Sequence, residues 1–285
     1  MFQIRVLLKK NKWIHLKFLS LFFMGLALSF CASTNGVQDR ARQEELREEN
    51  KIGKALAARL IKKFGLLKDE TSTEYLNLVG NNIGRISSRP ELVYHFGILK
   101  TNEINAYSCP GGYILVSMGA LKIMRNEAEL AFLLAHEVSH VTLGHSIPPG
   151  GLKKQGGIIE FIANFLGGGG GLLNTAIEQA SNEMEKMLLE KGREKQLEYD
   201  ADISGVLYSV GALNYDLKSA VNYFKRINDA AGNEILSKTH PDMNSRIQKI
   251  EKFAKEQSLP TSGNKYETRF LAFQSTLLKA LKEGK

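Results

Sequence analysis

One stretch constrains this chain more than any other: NEAELAFLLAHEVSHVTLGH, from Asn126 to His145. Leu130, Ala131, Phe132, Leu133, Leu134, Ala135, Val138 and Val141 make it apolar nearly all the way round. A helix with no polar face is a core helix. Asn126 with Glu129 three residues on reads as a capping box, which marks where the helix starts. Yet the same helix carries His136, Glu137 and His140. Two imidazoles and a carboxylate in a core cost several kcal/mol unless something partners them. A metal ion is the partner that accounts for them.

The spacing says how. Positions i and i+4 lie one above the other, so His136 and His140 present neighbouring ring nitrogens to one ion. Glu137 stands one residue further round, beside the ion and not under it. From there it can take a proton from water at the site and pass it to a leaving amine. Chance HExxH sequences fall mostly on polar surface segments. The capped apolar helix sets this one apart.

Composition adds little about partners until the N-terminus is separated. The net charge is +8, but residues 1–30 hold Arg5, Lys9, Lys10, Lys12 and Lys17 and no acid. The remainder is +3, too balanced for a nucleic-acid surface. The opening resembles a secretory signal, a basic stretch followed by the thirteen-residue apolar run Phe18 to Phe30. That run is short for a transmembrane span. It ends in Leu28-Ser29-Phe30-Cys31, which resembles a bacterial lipobox, although Phe30 stands where a small residue is usual. The expectation is a cut before Cys31 with lipid attached to its sulfur. Cleavage after Ala27-Leu28-Ser29 and a retained anchor helix are the alternatives. With Cys31 lipidated, Cys109 is left without a disulfide partner and reads as a small buried hydrophobe.

The mature chain reads in order as follows. A tether over 31–43 leads into a charged helix over Glu44 to Phe64, and a second helix covers Thr71 to Ile86. Leu92 to Leu99, Glu103 to Ser108 and Tyr113 to Ser117 look like a three-stranded antiparallel meander. The last strand, entered through Gly112 and running Tyr113, Ile114, Leu115, is the candidate for pairing with an extended peptide substrate. After His145 comes a Gly-rich insertion over 150–172, read as a mobile cover over the cleft or a membrane-dipping segment, or else as an ordinary flexible insertion packed on the body. One long helix is expected from Ile177 to Val210, then helices over Tyr215 to Asn228 and Met243 to Lys255. An amphipathic helix within the C-terminal segment 257–285 closes the chain. No repeat of 30–40 residues is visible.

Three motifs then stand in order: HEVSH, EYDAD and THPDMNSRI. Together with NAYSCPGG before the metal helix, they resemble the zinc metalloendopeptidases of the M48 family. That family includes the prenyl-protein (CAAX) endopeptidase and the periplasmic protease of outer-membrane barrel assembly. The resemblance runs from about Arg42 to Phe253, with Tyr107 in place of the usual Phe and Ser139 in place of a frequent Gly. It implies a zincin-like metallopeptidase without helical repeats and one Zn2+ held by His136, His140 and Glu198. Asp202, one turn after Glu198, is suited to accept a ligand histidine N–H. His145 reads as a structural residue or as support behind the ligands. Arg246 reads as holding its loop through an acidic partner. His240 could donate to the tetrahedral oxyanion, occupy the zinc at rest, or simply start a helix.

The expectation is therefore an α+β, mainly helical metalloprotease domain over 44–256, exported and anchored to a membrane by lipid. Its substrates would be unfolded or misfolded envelope proteins, with the envelope assembly machinery a possible partner. The alternative is a zinc-bearing chaperone or assembly factor with little hydrolytic activity.

Overall fold

The computed structural model describes residues 39–147, 173–230 and 242–284. Cys31, the signal-like opening, His240 and the insertion over 150–172 lie outside these residues. The chain divides into two units, Met1–Arg47 and Glu48–Lys285. In the first, residues 39–47 are helical, so the part of the expected tether that is described is helix.

The second unit opens with α1 over 48–64, which stops at Gly65 in the left-handed region (φ 79°). α2 is Glu70–Ile86, capped by Asp69, whose side chain accepts the Ser72 N–H. Three strands follow: β1 His95–Leu99, β2 Ala106–Cys109 and β3 Tyr113–Ser117. α3 is Met118–Ile123 and α4, the HEVSH helix, is Glu127–Thr142. Then come α5 Leu173–Lys186, α6 Lys195–Val206, α7 Leu217–Ala230, α8 Met243–Glu256 and α9 Glu267–Lys282.

The mainly helical α+β architecture is as expected, but the sheet is mixed. Its order is β1-β3-β2, with β1 parallel to β3 and β2 antiparallel to it. Pro110–Gly112 is tight enough to fold β3 back on β2, with Gly111 and Gly112 both at positive φ. β1 and β2 have no such turn between them, so β3 fills the place between them. Both hydrogen-bonding edges of β3 are therefore taken. The expected pairing of a peptide with Gly112, Tyr113, Ile114 and Leu115 is overturned. Of the two outer strands, β1 is bonded through Ile98 to Leu67 and through Phe96 to Asn77, so among the described residues the open edge is that of β2.

The sheet alternates with period two between two apolar clusters. Ala106, Ile114 and Val116 join the main core around α4, while Tyr107, Cys109 and Leu115 join a second core with α1 and Met184 of α5. α4 runs through the main core and packs against α2, β2, α6 and α7.

The long helix expected over Ile177 to Val210 is broken. A π-turn at Met187–Lys191 and Gly192 (φ 70°) end one helix, and α6 starts afresh at Lys195. A second π-turn, Leu207–Ala212, follows α6. The helix carrying the EYDAD residues is thus a short segment set apart from α5, and π-turns gather at functional places in helices. Among the described residues no helix is long and apolar enough to cross a membrane.

Candidate metal centre

The start of α4 is fixed as the sequence suggests. Asn126 Oδ1 accepts the Glu129 N–H at 3.2 Å, and Glu129 accepts the Arg125 N–H at 3.0 Å. The HEVSH residues then fall two turns inside the core, where His136 and Glu137 are 3% and 4% exposed and His140 is fully buried. α6 crosses against this segment closely because Gly205 faces it. A Cβ there would meet the His136 backbone nitrogen at 3.2 Å and Cα at 3.3 Å. That approach brings Glu198, also fully buried, to the two histidines.

Three ligand atoms converge. His136 Nε2 and His140 Nε2 lie 3.1 Å apart; Glu198 Oε1 is 3.3 Å from the second, and its Oε2 is 3.7 Å from the first. His136, His140 and Glu198 are the group among the described residues that could hold a metal ion. The surrounding hydrogen bonds test that fit. His136 Nδ1 donates to Asp202 Oδ1 at 2.9 Å, which leaves Nε2 as a bare lone pair. His140 Nδ1 faces His145 Nδ1 at 3.2 Å, so a proton held there leaves the second Nε2 bare as well. Two lone pairs and a carboxylate pointed at one place, without a proton to share, are what a cation satisfies. Burial, followed by the charge of Arg193, also holds His140 well below its usual pKa. The ring is neutral, as a ligand must be.

The residues behind the ligands form a chain. Asp202 accepts from Arg246 Nε at 2.8 Å and Nη2 at 2.7 Å while it holds His136. Burial alone would raise the Asp202 pKa. The Arg246 charge and hydrogen bonds outweigh it and keep the carboxyl below its ordinary value. Arg246 itself is buried and lies 4.3 Å over the Phe224 ring. His145 returns to His140 because α4 ends through Gly144 (φ 73°), and the His145 N–H donates to the His140 carbonyl at 2.8 Å.

Glu137 stands beside the ligand set, and its buried Oε2 has no hydrogen-bond partner among the described residues. With His136 it lines a cavity of about 40 Å³. The apolar wall comes from Phe132 and Leu133 of α4, Ala120 of α3, and Tyr223 and Ile227 of α7, with Ile104, Asn105 and Ala106 entering from the β2 side.

The family comparison decides what this arrangement belongs to. The profile described as Peptidase family M48 matches residues 70–254, from the first residue of α2 into the last turn of α8, with every residue of the centre inside it. This chain belongs to peptidase family M48. Among M48 relatives, the mitochondrial metalloendopeptidase OMA1 of Schizosaccharomyces pombe is 27% identical over 193 residues, 65% of this chain and 54% of that protein. The beta-barrel assembly-enhancing protease of Yersinia pestis is 35% identical over 80 residues, 28% of this chain and 16% of that one. Its Escherichia coli counterpart is 30% identical over 98 residues, 34% and 20% of the two chains. The chain thus spans about half or less of the length of these relatives.

Of the residues singled out in the sequence, the fold brings together His136, Glu137, His140, His145, Glu198, Asp202 and Arg246. It sets Tyr113, Ile114 and Leu115 in the sheet interior. Sequence reasoning missed Arg193, whose guanidinium bonds Ser108 of β2, and the cavity residues of α7. No local motif marks either; both reach the centre through tertiary packing.

Proposed function

We propose that this chain is a zinc endopeptidase acting on unfolded or misassembled proteins of the cell envelope. The observation that carries the reading is Glu137, whose buried carboxylate oxygen has no partner among the described residues and stands beside three converging ligand atoms. A purely structural site has no use for it, which weighs against a zinc-bearing assembly factor without hydrolytic activity. His136, His140 and Glu198 would hold one Zn2+ per chain and leave a position open, the pattern of a catalytic site. A zinc ion held there would supply Lewis-acid chemistry, bringing the pKa of a water to about 7 and polarising the scissile carbonyl. Glu137 accepts that water's proton on Oε2 and returns it to the leaving nitrogen. Asp202 fixes the tautomer and orientation of His136, and Arg246 keeps Asp202 ionised. His145 does the corresponding work for His140. His240 is assigned to the oxyanion, or to the open zinc position at rest.

An extended substrate would pair with the open edge of β2, and the cavity beside Glu137 would take a small apolar side chain next to the scissile bond. The envelope assignment rests on the signal-like opening, on its lipobox-like ending at Cys31, which would be acylated as a membrane anchor, and on bacterial relatives named for barrel assembly. Intact mass spectrometry of the mature protein tests the anchor, because a free N-terminus at Phe30 excludes it. For the activity, the test is cleavage of a permanently unfolded reporter protein before and after zinc removal. Cleavage should disappear with the metal and return with zinc. Stoichiometric zinc with no cleavage would favour the assembly factor.

A further inference from the structure

The open edge of β2 is already partly occupied, and the occupant is charged. Antiparallel pairing alternates inward and outward backbone groups. Asn105 faces β3, since its carbonyl accepts the Ser117 N–H at 3.0 Å and its N–H meets Ser117 Oγ at 3.0 Å. Ala106 and Ser108 therefore present their N–H and C=O to the open edge. The Ala106 N–H is held by Asn105 Oδ1 at 2.8 Å. At Ser108 a side chain takes the place of a strand. Arg193 Nη2 donates to the Ser108 carbonyl at 3.4 Å and to Ser108 Oγ at 3.0 Å.

Arg193 is placed there by the break before α6. Gly192 turns the chain at φ 70°, and Arg193 follows it, five residues ahead of Glu198. The residue is only partly buried. Its Nε is fully buried and has no acceptor among the described residues. One cation thus lies on the edge of β2, with part of its donor fork unmatched among the described residues. An unmatched buried N–H is costly, and an acceptor that meets the partly exposed guanidinium offsets that cost. For a guanidinium the best acceptor is a carboxylate, engaged through two parallel hydrogen bonds. The apolar cavity approaches the other end of the same strand, at Ile104, Asn105 and Ala106. The two features are therefore offset along the path of one extended peptide.

We propose that Arg193 forms a substrate subsite for an acidic side chain, at a position of the peptide displaced from the residue that enters the apolar cavity. This rests on the endopeptidase reading above. The test is a set of peptides that share one cleavable sequence and carry Glu or Gln at each position in turn, assayed on the zinc-loaded full chain. At one position the Glu peptide should exceed its Gln twin at least about tenfold in kcat/KM, the order expected of a charge-assisted pair. Arg193→Gln should bring that ratio to about one, and Arg193→Glu should invert it when Lys replaces Glu. A Glu-to-Gln ratio within twofold at every position in the wild type overturns the proposal, as does a ratio that survives Arg193→Gln at full zinc occupancy. If none of the peptides, nor the unfolded reporter, is cut, it is the endopeptidase reading that fails.

Discussion

Asp202 holds the Nδ1–H of His136 at 2.9 Å, and so decides which nitrogen of that ring faces the ligand cluster. The carboxylate is buried, and the bidentate Arg246 keeps it charged there. A neutral amide at this position could still accept one hydrogen bond, but it would leave the Arg246 charge uncompensated. Asp202→Asn should therefore weaken zinc binding by about 10–100-fold. Competition with a chromophoric chelator reads the affinity directly. Unchanged affinity would reduce Asp202 to a partner of Arg246 alone.

Cys109 gives a prediction about reactivity. Its sulfur is fully buried against α1 and β3, and burial pushes the thiol pKa up to about 12. The thiolate is the reactive form, so at pH 8 the native protein should not react with a thiol-specific disulfide reagent. One equivalent should react at this position once the chain is unfolded. Rapid reaction in the native state would mean that the second core opens.

The start of the metal helix is tied to the end of the chain. Glu127, fully buried in the first turn of α4, accepts from Tyr75 at 2.6 Å and Tyr215 at 2.7 Å, and it pairs with Arg269 of α9. Its N–H also donates to the Lys265 carbonyl at 2.9 Å. Removing one partner of a buried pair costs about 3–5 kcal/mol, and less where the remaining partner keeps some hydrogen bonds. Arg269 is half exposed and both tyrosines stay, so Arg269→Gln should cost about 1–3 kcal/mol. The readout is a lower denaturant midpoint at an unchanged slope. Combining it with Glu127→Gln should recover part of the loss. Strict additivity of the two changes would deny the coupling.

These relationships show what local sequence could and could not reveal. The metal helix was legible because its cap, its apolar faces and the His136–His140 spacing all lie within a few turns. Asp202 was legible for the same reason, one turn from Glu198. The sheet was not. Strand order depends on which distant strand docks between the other two, and nothing in Leu92 to Leu99 says that it pairs parallel to β3. The break at Gly192 was hidden in an otherwise helical pattern. The Glu127–Arg269 pair spans 142 residues and has no sequence signature. Arg193 belongs with these, since a lone arginine before a helix is read as a solvated charge.

Leu133 offers a test of the cavity. It lines the wall beside Glu137 and is only partly buried, so truncation enlarges the space at modest cost to the fold. Leu133→Ala should shift the kcat/KM preference from small towards larger apolar residues by about tenfold, the usual value of a methylene or two in such a pocket. An unchanged preference would place the specificity pocket elsewhere.

The central claim is that Glu137 moves the proton in peptide hydrolysis and does not hold the metal. Glu137→Gln preserves the shape and removes the base. Zinc content by elemental analysis and turnover of an unfolded protein should be measured on the same preparation. About one zinc per chain should remain while turnover falls at least about a hundredfold, as loss of a general base requires. Near-normal cleavage at full zinc occupancy would contradict the account.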